Sequence, residues 1–271
     1  MSWARIMAPL AGVASDALVL EAARAFAAPL GAEVAAVFAP ADAADLMPWM
    51  GEGFMGGVQI AALDSLKEAA QQGDVKAKVS FNAAGCPRAS YVTLSSPVAA
   101  GLAMEARLSD VVVFSADGAR GRGPLTEAFQ QVLMEERRPV LIARNVPDPA
   151  QTVAVAWDGG REATRAARLA VPWLQHAAKV VILTAPAATP RAFDAHRLVD
   201  IFAARGVKAE VETLSQVGEP GPLLVEGASR VGASLLVAGA FGHPRFQQFI
   251  FGGTTRHLMH TEAGPSLFLA H

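Results

Sequence analysis

The chain has 271 residues and a single cysteine, Cys86. A lone thiol excludes an intrachain disulfide framework and any metal site built from several cysteines, and that usage points to the cytoplasm. An excess of one charge sign is also missing. Twenty-three Lys and Arg stand against 25 Asp and Glu, a formal net charge of −2, so no global field draws the chain to nucleic acid or to an anionic membrane. Near the N-terminus Asp16, Glu21 and Arg24 interrupt the apolar stretch too early for a signal peptide or a membrane span. The chain contains no Walker A sequence, no Gly-x-Ser-x-Gly elbow and no His-Glu-x-x-His. What it does have is 52% hydrophobic against 18% charged residues, the balance of a folded protein with room for two modest domains or one large one. Its alanine-rich stretches read as tightly packed helices.

The chain repeats itself. Strand (RIMAPL), loop with Gly12, helix and strand (EVAAVFA) in residues 5–39 return as TVAVAW, Gly159, helix and KVVILTA in 152–185. DVVVFSADG at 110–118 returns as SLLVAGAFG at 234–242, and RPVLIAR at 138–144 as GPSLFLA at 264–270. Each half reads as strand–helix–strand–helix–strand–helix–strand. Continuous aliphatic strands such as VVVF and LLVA are the mark of a parallel sheet covered on both faces, so each half is expected to be a doubly wound α/β layer. Two prolines in Asn145-Val146-Pro147-Asp148-Pro149 make a short stiff linker, which divides the chain into 1–145 and 151–271. Such halves most simply pack about a pseudo-twofold axis, with the last strand of each as the edge that meets the other. The first half holds about twenty extra residues, and the obvious place for them is an insertion near 41–58 that looks like neither helix nor strand.

Residues 235–256, LLVAGAFGHPRFQQFIFGGTTR, read as a buried strand, a glycine-punctuated loop, and a second glycine pair opening the last helix. Glycines on both sides of the loop let backbone N–H groups approach a ligand. A helix N-terminus adds free donors and the positive end of its dipole, a recipe for holding phosphate at the carboxyl end of a strand. The bland alternative is a set of tight-turn glycines. His243 and Arg245 lie where a phosphate or ribose could meet them, or at a solvated loop tip. Asp158, ending the strand VAVAWDGG, either positions a ligand or starts the next helix.

The Gly-x2-Gly-x9-Gly spacing of Gly239, Gly242 and Gly252, together with Asp158, resembles the universal stress protein family. The resemblance covers the chain as a tandem pair, with the motif in the second copy alone. It implies two repeated doubly wound parallel-sheet domains of the adenine nucleotide alpha hydrolase-like kind. It sets Asp158, Gly159 and Thr184 against adenosine, and Gly239, Gly242, His243, Gly252, Gly253, Thr254 and Thr255 around the phosphates. The implied cofactor is ATP or another adenine nucleotide, with Mg²⁺ as a companion to ATP. Gly253 departs from the pattern, because nucleotide binders of the family carry Ser or Thr there. Thr255 keeps the second hydroxyl position, and Thr254 compensates if the loop shifts. A lost hydrogen bond to a charged group is worth about 1.5–3 kcal/mol, or roughly one to two decades of affinity. In the first copy Ala11 stands in place of Asp158, Ser115 replaces the first glycine, and Thr126-Glu127-Ala128-Phe129 replaces Gly252–Thr255. No normal nucleotide site is expected there.

Weaker signals stay open. Gly51-Glu52-Gly53-Phe54-Met55-Gly56 spells a dinucleotide fingerprint, but no buried strand leads into it. The Met- and Trp-rich insertion is either a flap or partner contact, or inert packing. Gly118-Ala119-Arg120-Gly121-Arg122-Gly123 reads as a solvated charged loop in preference to an anion loop. His257 and His260 share a helix face without a third ligand nearby, and Cys86 reads as a structural thiol. Three functions compete. The first is a non-enzymatic adenine-nucleotide module reporting to an unknown protein partner. The second is a structural or interaction protein, and the third a slow ATPase, for which no general base stands out. Neither nucleic acid nor membrane is expected as a partner. The tandem is an intramolecular pseudo-dimer, with further homodimerisation left open.

Overall fold

A computed structural model describes residues 2–40, 56–95, 97–185, 194–215, 217–241, 253–262 and 264–271, with side chains from residue 63 onward in the second stretch. The first half runs β1 (Arg5–Leu10), α1 (Asp16–Ala27), β2 (Glu33–Phe38), α2 (Gly56–Ala84) and β3 (Ala89–Thr93). It continues through α3 (Val98–Arg107), β4 (Val111–Ser115), the short helices α4 (Ala116–Ala119) and α5 (Thr126–Gln130), and β5 (Val140–Ala143). The second half runs β6 (Thr152–Trp157), α6 (Arg161–Leu174), β7 (Lys179–Thr184), α7 (Ala195–Ala203) and β8 (Ala209–Thr213). It ends with α8 (Pro220–Arg230), β9 (Ala233–Gly239), α9 (Gly253–His260) and β10 (Ser266–Ala270). Among the described residues no helix is long and apolar enough to cross a membrane.

All ten strands join one sheet in the order β3-β2-β1-β4-β5-β10-β9-β6-β7-β8. Each half supplies five strands in the same order, and the list reads as its own mirror about the β5–β10 step. That step alone is antiparallel, pairing Leu141 with Phe268 and Ile142 with Leu267. Parallel pairing within each half and one antiparallel pair between them is the signature of a twofold relation. The last strands of the two copies are indeed the edges that meet.

Alternation along the strands fills two cores. Ile6, Ala8 and Leu10 face one side with Phe26 of α1, Ala77 of α2, Trp173 of α6 and Phe202 of α7. Met7, Val112 and Phe114 face the other side with Leu102 of α3, Phe129 of α5, Ala228 of α8 and Leu258 of α9. Strands buried on both faces need the continuous Val, Leu and Ala runs seen in the sequence. At the centre of the first core, Phe26 and Trp173 stack with ring centroids 4.7 Å apart, and Trp3 and Phe268 extend the stack.

Two sequence expectations are corrected. Among the described residues the sheet has five strands per half where the sequence pattern predicts four, the additional ones being β3 (ASYVT) and β8 (AEVET). Both lie at sheet edges, are half-exposed, and lack the continuous apolar run that marks an interior strand. Among the described residues, the first half has much the longer helix between its second and third strands. α2 has 29 residues where α7 has 9, and it already begins at Gly56, inside the stretch read as neither helix nor strand. Residues 41–55 of that insertion, and with them most of the Gly51–Gly56 pattern, lie outside the described residues.

Candidate functional site

In the second half β6 is flanked by β7 on one side and β9 on the other, so the chain reverses its direction of winding between β6 and β9. Ligands of open α/β sheets bind outside the carboxyl ends of the strands at such a switch point. Asp158 and Gly159 follow β6, Thr184 ends β7, and Gly239 ends β9. Asp158 is exposed, and its Oδ1 accepts from the Gly160 N–H at 2.7 Å, immediately before α6 begins. Gly159 turns there with φ +73°, and a Cβ on Gly160 would lie 2.9 Å from Asp158 Oδ1. The Thr184 hydroxyl donates to Ala185 O at 3.3 Å and is half-buried.

Gly239 has a packing reason of its own. A Cβ on it would lie 2.5 Å from both Ala163 N and Glu162 C, so the first turn of α6 presses directly on the end of β9. Two residues later Phe241 takes φ +59°, a backbone state that a bulky side chain adopts rarely. Its N–H donates to Thr255 Oγ1 at 3.3 Å, which ties the exit of β9 to the first turn of α9. Thr255 is 5% exposed. His271 closes the same corner, its Nδ1 donating to Ala240 O at 3.0 Å and its ring edge-on to Phe241. Arg165 bonds the His271 carbonyl oxygen. Gly253 is exposed with open space where a Cβ would go, and Thr254 beside it is half-buried. The carboxyl ends of β6 and β9 and the first turn of α9 thus meet at one edge of the sheet. Gly242, His243, Arg245 and Gly252 lie outside the described residues.

The first half places its acid differently. Position 11 is alanine, but Asp16, which corresponds to Ala163 in the second copy, sends its carboxylate back into the β1–α1 loop. It accepts from the N–H groups of Gly12 at 2.8 Å and of Ala11 and Val13 at 3.2 Å each, and it is 2% exposed. Burial raises its pKa against the opposing effect of those three bonds. The β1–α1 loop thus takes a carboxylate from the helix, whereas Asp158 sits just past the strand end in the second half. α2 then crosses the loop so closely that a Cβ on Gly12 would lie 2.4 Å from Gly73 Cα. A Cβ on Gly73 would in turn touch Phe38, which ends β2 as Thr184 ends β7. In the second half Gly159, Gly160 and Thr184 keep partial exposure.

What remains in the first half is a cleft of about 410 Å³ between the ends of β1 and β4, lined by Pro9, Ser15, Asp16, Ser115, Asp117, Arg122 and Leu125 among others. The loop that carries Arg122 is exposed at Gly121, Arg122 and Gly123, in keeping with the solvated loop expected from the sequence, but one of its arginines is docked. Arg120 within it donates from Nη2 to Thr261 O at 3.0 Å and from Nε to Met259 O at 3.4 Å, docking the loop on the end of α9. Single positions in the sequence could not show this, because the acceptors are main-chain carbonyls in the other half. Among the described residues no three His, Cys, Asp or Glu side chains are grouped to hold a metal ion.

The sequence pattern of the universal stress protein family matches residues 183–262, so the second half carries a domain of that family. The fold extends the likeness to the whole chain. A universal stress protein from Archaeoglobus fulgidus superposes with a TM-score of 0.70 at 15% identity, covering 98% of this chain and 95% of that one. A functionally unknown protein from Pseudomonas aeruginosa gives 0.56 at 12% identity, with 99% and 92% covered. A putative universal stress protein from the same species gives 0.54 at 14% identity, with 99% and 93% covered. No curated protein matches the sequence significantly.

Proposed function

We propose that this chain, whose second half carries a universal stress protein domain, is a non-enzymatic adenine-nucleotide-binding module with one working site per chain, in the second of two domains spanning 1–145 and 151–271. The observation that carries the reading is the meeting of Asp158, Gly159, Gly239 and the first turn of α9 at the switch point of the second half. Asp158 is exposed and can turn its carboxylate to ribose hydroxyls, the role that the family resemblance implies for it. Gly253, Thr254 and Thr255 offer main-chain N–H groups and the positive pole of α9 to phosphates. Mg²⁺ enters only as the companion of bound ATP. The phosphates would be its main ligands, with water completing the shell, and no protein cage is required.

The first half supports the count of one. Its loop N–H groups are already taken by Asp16, and its crevice is crossed by Gly73. Occupancy of the single site would stabilise the fold by mass action, about 2.7 kcal/mol at a hundredfold excess over Kd, and so report nucleotide level to a protein partner. A melting scan tests the reading. An upward shift with millimolar ATP or AMP is expected, and it should shrink in Asp158→Ala. No shift with either nucleotide would overturn it.

A further inference from the structure

Helix α9 is held at its far end by two arginines of the other half. The last carbonyls of a helix have no partner within it. Arg144, just past β5, bonds Leu258 O through Nη2, reaches Met259 O with the same nitrogen at 3.3 Å, and donates from Nη1 to Pro265 O at 3.2 Å. Arg120 adds its bonds to Met259 O and Thr261 O. Burial pulls the Arg144 guanidinium down to about 10, and the nearby charge of Arg120 pulls in the same direction. Two like charges crowded together, one of them largely desolvated, oppose folding unless the carbonyl end of α9 compensates them. The arrangement also runs one way: the second copy has Ala270 in the place of Arg144 and Pro244 in the place of Arg120.

We infer that Arg120 and Arg144 are positioning residues for the anion site at the opposite end of α9, an inference that rests on the nucleotide reading above. α9 has 8 residues and is therefore only about 12 Å long. Cations at its C-terminal carbonyls offset its negative pole and fix the axis along which the N–H groups of Gly253, Thr254 and Thr255 point. The Phe241–Thr255 bond anchors the other end. The first half, whose own crevice is filled, thus sets the aim of the second half's phosphate donors.

The test uses the full chain with Arg120→Gln, because Arg120 is half-buried and lies outside both cores. Ligand-free amide chemical shifts of Gly253, Thr254 and Thr255 are read first, then ATP affinity by calorimetry. Arg120→Gln is expected to move the three amides and weaken ATP roughly 3–10-fold. Arg120→Lys, which keeps the cation but not the fork, should give smaller changes of the same kind. Arg107→Gln, which breaks the Arg107–Glu136 surface pair, should give neither. Unmoved amides in Arg120→Gln overturn the inference, and so does unchanged ATP affinity where the wild type binds ATP. If that variant does not fold, Arg120→Lys decides alone, and unmoved amides in it are fatal. A wild type that binds no ATP sinks the nucleotide reading, whereas amides that move in Arg120→Gln and return toward wild type in Arg120→Lys still carry the positioning role.

Discussion

Phe26 and Trp173 stand 147 positions apart, as Gly12 and Gly159 do, and their rings stack on each other at 4.7 Å with planes 19° from parallel. Equivalent residues of the two copies touch each other, which happens only on the twofold axis. Both rings are 0% exposed, and the Trp173 Nε1 is shut off from solvent with no hydrogen-bond partner among the described residues. Trp173→Ala should lower stability by about 3–5 kcal/mol. Trp173→Phe keeps the stack and removes the unpaired donor, so its loss should stay under about 1.5 kcal/mol. Urea unfolding of both variants checks this. A Phe variant as unstable as the Ala variant would contradict the stacking account.

The two acids at the βα loops should behave oppositely. Asp16→Ala strands the N–H groups of Ala11, Gly12 and Val13 in a buried loop, and a cost of about 2–4 kcal/mol is expected. Asp158→Ala releases a single donor at an exposed position, with a cost under about 1 kcal/mol. For nucleotide affinity the order reverses: Asp158→Ala weakens it and Asp16→Ala leaves it unchanged. Denaturation and ATP titration of the same two proteins provide the comparison.

Gly253→Ser supplies the hydroxyl that the resemblance expects. Among the described residues nothing lies within 4 Å of a Cβ at that position, so none of them has to move for the side chain. A charge-assisted bond to phosphate should tighten ATP by roughly one decade. Calorimetric titration showing equal or weaker affinity would mean that the phosphates do not reach the start of α9.

Acid should loosen the outer edge of the first half. Partial burial raises the Asp74 pKa, but hydrogen bonds from Lys78, Thr93 and Tyr91 outweigh it and hold the carboxyl below its usual 3.8. A depressed folded-state value means that the contribution is complete above 3.8 and drains away as pH falls through the folded pKa. Wild type should therefore exceed Asp74→Asn in stability at neutral pH, and the gap should close below about pH 4. Urea midpoints measured from pH 7 to 3 show the gap; a constant gap would refute the assignment.

The interior of the fold could be read from the sequence because VVVF, VVIL and LLVA carry the burial pattern of covered parallel strands in their own composition. The edges could not. Tyr91 and Glu210 sit in strands that face water on one side, where apolar continuity is not demanded. In the candidate site Gly239 is legible from the spaced glycines after a buried strand, and Asp158 from the family pattern that this spacing resembles. Asp16 is not: its carboxylate serves the loop at position 11 while sitting at position 16, so position-by-position comparison of the copies sees only a loss. Contacts between main chain and main chain, such as Gly73 on Gly12, leave no mark beyond a glycine whose neighbour is unknown until the helix is placed.

The antiparallel step between β5 and β10 has a last consequence. Two separate identical chains meeting at such a seam would suffer every substitution twice, once on each side of the axis. With both sides on one chain, a change at Asp16 or Gly73 touches one crevice and spares the other. Association at the seam also no longer depends on protein concentration. Covalent linkage thus turns a symmetric pair into two parts of one chain that can change independently of each other.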